Sequence, residues 1–325
     1  MARFSRIVIV TKRTHLQDLL ERFVTEAQAR FYLEHMGLSF SDYEDAHTAY
    51  AGAMDAVVAA LPSTPRHVIV DRALLPMFAF EERDLVVTLG GNGLVVNVAK
   101  YLDGQPLVAV NPDPRRHEAI LVPFRVDGFR SQIRSIVEGR MEIRPVTMAE
   151  ARLNDGQILL AFNDLFVGRR DHASARYRIE VDGRAEEQSS SGVIISTGAG
   201  STGWLKSIVD GSLRIVQICC PEAKGLPAAI NTRFDWSADW LRFAVREPFT
   251  SSRTGAGIIF GVVGSGEAIR IISRMPEGGV IFSDGVFDDA IAFNSGAIVE
   301  IRVSARKASL VSPQANTATI RVEAH

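Results

Sequence analysis

The sequence predicts an α/β plus all-β chain: an N-terminal α/β domain on a parallel sheet, followed by an antiparallel β-rich domain. Three observations carry this. The first third alternates apolar runs of strand length with stretches of helical spacing. A glycine-rich turn, Gly90-Gly91-Asn92-Gly93, joins one such run to one such stretch. After about residue 125, short apolar runs follow one another with turn residues between them.

The elements follow in order. RIVIVTK, from Arg6, reads as a buried strand, and HLQDLLERFVTEAQARFYLEHM as one helix with apolar residues at i, i+3 and i+4. RHVIVD is a second strand. DLVVTL is a third, and the helix LVVNVAKYL follows its glycine turn directly. PLVAVNPDP returns as the next strand, completing a βαβ rhythm in which sites lie at the carboxyl ends of strands. FRSQIRSIVEGR reads as a polar helix. The strand candidates after it are QILLAFNDLFVG, ARYRIEV, GVIIST, LRIVQIC, WLRFAV, GIIFGVV, AIRIISR, GGVIFSD and AIVEIRVSA, with Asp182-Gly183 as a hairpin turn.

Charge and cysteine content narrow the function classes. Lys plus Arg number 36 against 38 Asp plus Glu, a net charge of -2, so no global attraction draws the chain to nucleic acid or to an anionic membrane. Cys219 and Cys220 are adjacent in LRIVQICC, which suits a reduced buried strand better than a disulfide framework. With no apolar run approaching 18 residues and no leader-type segment ahead of Ile7, the expectation is a cytoplasmic protein.

Three stretches carry chemistry. At Gly90 to Gly93, glycine permits positive φ and close approach to backbone N–H groups, and the following helix adds its positive end, a combination that favours phosphate. SGVIISTGAGSTGWLKS is a loop of small hydroxyl and glycine residues at a strand end. Its Gly198-x-Gly200-x-x-Gly203 spacing, with Glu222 beyond, matches a dinucleotide fingerprint, but WLKSIVDGS offers barely two turns of crossover helix. Lys206-Ser207 lies too far from the last glycine for a Walker loop, and no G-x-S-x-G elbow surrounds Ser201. What remains is a loop suited to hydrogen-bonding a nucleotide. In AFNDLFVG, Asn163-Asp164 interrupts an apolar strand and needs partners. The seven histidines form no H-E-x-x-H pattern.

Taken together and in order, GGNG, FND and STGAGSTGW resemble the motifs of the NAD kinase family, whose members carry a Gly-Gly-Asp-Gly turn, an Asn-Glu or Asn-Asp pair and a Thr-x-x-Gly-Ser-Thr-Ala-Tyr-like loop. The likeness runs from about Arg6 to about Ala305. VNPDPRRHEAIL and FNDLFVGRRDHASARYRIEVDG look nearest to the mitochondrial-type branch, and SDGVFDDAIAFNSGAIVEI is similar to the family's late Asp-Gly turn. The resemblance implies phosphorylation of the adenosine ribose 2'-hydroxyl of NAD to give NADP, with ATP or polyphosphate as donor, Mg2+, and a homodimer or higher homo-oligomer. Residues 1–125 would be the α/β nucleotide-binding domain and 126–305 the β-rich dinucleotide-binding domain, with 306–325 unplaced.

Residue by residue, the resemblance implies that Gly90, Gly91 and Gly93 face phosphate and that Asn163 and Asp164 hold the dinucleotide. Thr197, Ser201, Thr202, Trp204 and Ser207 would line its adenine and ribose pocket, with Trp204 where the family has Tyr and Gly203 where it has Ala. No metal ligand is assigned. Asn92 stands where the family places the Asp favoured as general base, and a neutral amide is not a base. Asn92 is therefore an engineered substitution, a natural change that moved the base elsewhere, or the mark of a chain that binds without turnover. If the base moved, Asp164 leads, with Asp113 and Asp171 behind it. Three other readings stay open: a catalytically impaired NAD/NADP-binding pseudoenzyme, a kinase for a lipid or sugar hydroxyl, and a Rossmann oxidoreductase on Gly198 to Gly203.

Overall fold

The computed structural model describes residues 3–116, 119–220, 227 and 229–314. The chain divides into two compact units, one running to Arg144 and including the stretch from Ser309, the other spanning Pro145–Ala308.

In the first unit, β1 (Arg6–Thr11) is followed by α1 (His15–Phe23), α2 (Glu26–His35), α3 (Phe40–Ala60) and β2 (Arg66–Asp71). Then come β3 (Asp84–Leu89), α4 (Asn92–Ala99), β4 (Pro106–Asn111), the short β5 (Phe124–Arg125) and α5 (Val126–Val137). β1 pairs in parallel with both β2 and β3, and β3 with β4. β3 is buried at every residue, as its unbroken apolar run requires for a strand covered on both faces. Ile7, Ile9, Val87, Val108 and Val110 pack with Val57 of α3 and with Phe129 and Ile133 of α5.

Two helices differ from the sequence reading. The single helix expected from His15 breaks in two, because Val24 takes φ 63 and Thr25 accepts from the Gln28 N–H as the cap of a new helix. α3, with 21 residues, had no counterpart in that reading. Only Phe40, Ala53 and Val57 of it are buried, so its face carries no strong period.

β6 (Glu142–Leu153) leads into the second unit, which it enters at Pro145, and β7 (Ile158–Ala161), β8 (Asp164–Arg169), β9 (Ala175–Val181), β10 (Arg184–Ser190) and β11 (Val193–Ser196) follow. α6 (Trp204–Cys219) follows, then β12 (Leu241–Val245), β13 (Phe260–Val263), β14 (Ile269–Ser273), β15 (Gly279–Ser283), β16 (Val286–Ala292) and β17 (Ile298–Ser312). One sheet contains β10-β9-β14-β17, with β6 on β17 and β7 on β6; the other runs β13-β12-β11-β8-β15-β16. Tyr177, Ile179, Ile195, Phe243, Ile271 and Phe293 belong to the core that both sheets share. From Ser309, β17 belongs to the first unit, where Ser309 and Leu310 pair in parallel with β4. The expected Asp182-Gly183 turn joins β9 to β10, with φ 51 and 67, the double-positive pair of a tight hairpin.

The stretch LRIVQIC corrects the sequence reading: it is the second half of α6, a helix of 16 residues, not a strand. Leu205 and Leu213 face inward, while Ile215, Val216 and Ile218 are exposed. Cut off from WLKSIVDGS at Gly211-Ser212, the run LRIVQIC is apolar and of strand length, so it imitates a buried strand. Cys219 and Cys220 are free and exposed rather than buried. The helix is also long enough for a crossover, which removes the first argument against a Rossmann unit. The pairing supplies a better one, because β11 is antiparallel to both β8 and β12. Glu222 lies outside the described residues.

Candidate functional site

The carboxyl ends of β1, β3 and β4 meet at the glycine turn. The Gly90 N–H donates to the Val110 oxygen at 3.0 Å, and α4 begins at Asn92 with Gly91 as a cap that supplies no side chain. None of the three glycines takes a positive φ, so conformational freedom is not why they are there. A Cβ on Gly90 would come within 2.9 Å of Leu94 Cδ2, but on Gly91 or Gly93 it would meet nothing within 4 Å. The fold itself leaves that space open, beside the uncapped positive end of a helix.

A pocket of about 370 Å³ opens there. Its walls include Lys12 and Arg13 just after β1, Gly91, and Asp113 and Arg116 after β4. Tyr50 of α3 ties the strand ends together, its hydroxyl donating to the Leu89 oxygen at 3.2 Å and accepting from the Lys12 N–H at 3.1 Å. Burial raises the pKa of this hydroxyl, so it stays a neutral donor. Arg116 donates to the Asp42 oxygen at 2.6 Å and lies 3.5 Å from Asp113 Oδ2. Three cations, a helix N-terminus and vacant space beside glycine form a phosphate-binding arrangement. Sequence reasoning missed Lys12, Arg13, Tyr50 and Arg116. The available signal was position, since TKR and NPDPRR each follow directly on a parallel strand.

Asn92 turns its side chain to the neighbouring loop, where Oδ1 accepts from the Leu121 N–H at 3.0 Å. Its amide oxygen, where a carboxylate oxygen would have stood, is thus committed to backbone.

In the second unit, Asn163 and Asp164 sit where β7 breaks from β8. Asp284, in the turn between β15 and β16, accepts from the N–H groups of Phe162 (3.0 Å), Asn163 (2.7 Å) and Asp164 (3.1 Å). Asp164 Oδ1 is shielded from solvent without a hydrogen-bond partner. Burial, with a smaller push from Asp284, raises this carboxyl to a pKa of about 7, while a hydrogen bond with Ser196 opposes the rise. The other carboxylates considered as bases differ. Two bonds from Arg169 hold Asp171 well below the usual carboxylate range, and Asp113 accepts from the Arg115 N–H at 3.2 Å beside Arg116.

The small-residue loop after β11 is packed differently. The Thr197 hydroxyl donates to the Phe162 oxygen at 2.6 Å and Ser201 to the Gly198 oxygen at 2.7 Å. Both residues are fully buried, and their hydroxyls are committed to backbone oxygens of the loop and its neighbour. Ser207 donates to the Gly203 oxygen at 3.3 Å; it and Thr202 are exposed. Trp204 stacks on Phe166 at 5.7 Å, with the Arg246 guanidinium 5.3 Å from its ring. The structure thus brings Asn163, Asp164, Thr197 and Gly200 together in one unit, and Gly90, Gly91, Asn92 and Gly93 in the other.

Among the described residues no group of three or more His, Cys, Asp or Glu stands ready for a metal. Mg2+ keeps several waters and binds through one or two carboxylates plus substrate phosphates, so a pocket with Asp113 on its wall and room for phosphate fits that ion without a preformed cage. No described helix is long and apolar enough to cross a membrane.

A glycine turn beside three cations at the carboxyl ends of a parallel sheet, and a β-rich unit carrying a carboxyl of raised pKa, are features that suit a protein handling phosphorylated nucleotides. No family model matches the chain. It is, however, similar to mitochondrial NAD kinase 2 of Rattus norvegicus, 24% identical over 375 residues, covering 93% of this chain and 86% of that protein. Among solved structures it resembles yeast NADH kinase complexed with NADH, at TM-score 0.58 and 16% identity over 95% of this chain and 84% of the other. It also resembles an NAD kinase from Archaeoglobus fulgidus in complex with ATP, at TM-score 0.54 and 16% identity over 95% and 94%. The chain has the NAD kinase fold and is similar in sequence to NAD kinases.

Proposed function

We propose that the chain transfers a phosphoryl group from ATP, or from inorganic polyphosphate, to the adenosine ribose 2'-hydroxyl of NAD, giving NADP. The observation that carries this reading is the glycine turn at Gly90–Gly93, which opens onto a pocket with Lys12, Arg13 and Arg116. The named relatives, one solved with NADH and one with ATP, support the choice of substrates.

In this reading the backbone at Gly91 and Gly93 and the three cations hold phosphate. The 2'-hydroxyl oxygen attacks the terminal phosphorus, its proton passes to a carboxylate base, and the donor leaves one phosphate shorter. Asp164 is the candidate for this base, because its Oδ1 is shielded from solvent without a hydrogen-bond partner and its pKa of about 7 suits a base working near neutrality. Asn92 is a neutral amide whose oxygen already holds Leu121, so it positions rather than deprotonates. When bound, Mg2+ would neutralise charge on the donor phosphates, with Asp113 beside it. Asn163 and Trp204 would then contact the dinucleotide, while Thr197 and Ser201 would shape the loop that receives it.

A homodimer or larger homo-oligomer belongs to the same reading, supported by the exposed apolar side of α6. The free exposed cysteines support a reducing, cytoplasmic compartment.

The test is NADP formation from NAD, ATP and Mg2+, followed with an NADP-specific dehydrogenase. Sustained turnover is the expected result. Folded protein that binds NAD but forms no NADP with either donor would contradict the reading and leave a binding protein.

A further inference from the structure

Asp284 lies far along the chain from Asn163-Asp164, yet its side chain serves that pair. One carboxylate oxygen accepts from Asn163 and Asp164 at 2.7 and 3.1 Å, and the other from Phe162 at 3.0 Å. In return the Asp284 N–H donates to the Asp164 oxygen at 2.9 Å, so the two segments bind reciprocally. Asp284 achieves this at φ 58, followed by Gly285 at φ 71. A non-glycine residue in the left-handed region is uncommon, although Asp tolerates it better than most. A chain needing only a tight turn between β15 and β16 had glycine available here; the carboxylate does something a glycine could not.

We propose that Asp284 is a positioning residue for the phosphoryl transfer: its carboxylate fixes the backbone at 162–164, aims the Asp164 side chain, and holds a negative charge next to it. The inference rests on the reading of Asp164 as the base.

The surroundings of Asp164 make the charge matter. From β11, Ser196 is its hydrogen-bond partner; from the loop above, Gly200 approaches so closely that a Cβ there would lie 2.7 Å from Asp164 Oδ1. From the β15–β16 turn comes Asp284, the charged group that acts on it. A like charge beside a buried carboxyl favours its protonated form. The three N–H donors of 162–164 fix the Asp284 carboxylate in place beside Asp164.

The experiment is the pH–rate profile of NADP formation for wild type, Asp284→Asn, Asp284→Glu and Asp164→Asn, with circular dichroism of each. Asp284→Asn removes the charge and keeps one acceptor oxygen, so the acidic limb moves about one pH unit lower. Asp284→Glu keeps the charge but pushes the 162–164 backbone, so the limb stays while kcat falls about tenfold or more and KM for NAD changes little. A limb unmoved in active Asp284→Asn overturns the inference, as does a wild-type kcat in Asp284→Glu; the second holds even if the Asn variant fails to fold. Should Asp164→Asn keep both rate and limb, the assignment of Asp164 fails and the inference falls with it. Should Asp164→Asn be inactive while the Asp284 variants behave as wild type, the inference alone falls.

Discussion

Two glycine-rich loops in this molecule look alike in sequence and are opposite in physics. Each ends a strand and leads to a helix. At Gly91 and Gly93 in the first unit, an added Cβ would touch nothing. At Gly198 and Gly200 in the second, it would meet the Asp235 oxygen at 2.0 Å and the Asn163 oxygen at 2.3 Å. The first loop omits side chains although the fold has room for them, and in the proposed function that room takes phosphate. The second omits them because backbone from two neighbouring segments already fills the space. Glycine content alone does not separate a ligand cradle from a packing constraint; the neighbours of the absent Cβ do.

Substitution breaks this comparison most sharply where backbone is in the way. Gly198→Ala is expected to cost about 3 kcal/mol or more, because no side-chain rotation relieves contact with a carbonyl. Thermal unfolding reads this directly, and a melting temperature unchanged from wild type would refute the packing account. Gly91→Ala should do the reverse. Its melting temperature should stay within about 2 °C of wild type, while affinity for ATP, measured by calorimetry, should fall about tenfold as the methyl enters the space kept for phosphate. If Gly91→Ala binds as wild type does, the pocket serves something other than phosphate.

A third prediction concerns pH. Asp164 is raised from about 4 unfolded to about 7 folded, so the native state holds an extra proton between those values. Stability from this group is complete below pH 4 and is lost as pH rises through 7. Asp164→Asn removes that slope, so the variant's melting temperature should exceed that of wild type at pH 8 and approach it at pH 4. Equal values at both pH would show that the carboxyl is not buried as described. The smallest effect is expected at Asn92. With the base elsewhere, Asn92→Asp should change kcat by less than about tenfold, whereas restoring a missing base would raise it about 10²- to 10⁴-fold. Intact mass must accompany this comparison, since slow deamidation at Asn92-Gly93 would turn one protein into the other.

Much of the first unit was legible because its strands are buried on both faces and read as unbroken apolar runs, as at Asp84–Leu89. α3 escaped notice because only three of its residues are buried, and α6 was misread because Gly211-Ser212 looks like a turn that cuts its apolar second half to strand length. β10 was hidden for the converse reason: RAEEQSS is a polar strand held by pairing with β9. In the site, residues carried by a local motif were legible, and those brought in by topology were not. Asp284 lies 120 residues from Asp164, Lys12 reaches the glycine turn because β1 is the parallel neighbour of β3, and Tyr50 because α3 packs on that sheet. The hydroxyls of Thr197 and Ser201 show the limit from the other side, since their partners are backbone oxygens of their own loop and its neighbour.

The most direct test of the account is NADP formation by wild type and Asp164→Asn at pH 7.5, with NAD, ATP and Mg2+ saturating. Wild type is predicted to turn over, and the variant to fold and bind NAD while losing about 10²- to 10⁴-fold in kcat, the usual contribution of a general base. A folded Asp164→Asn that forms NADP at the wild-type rate would contradict the account and return the question of the base to the first unit.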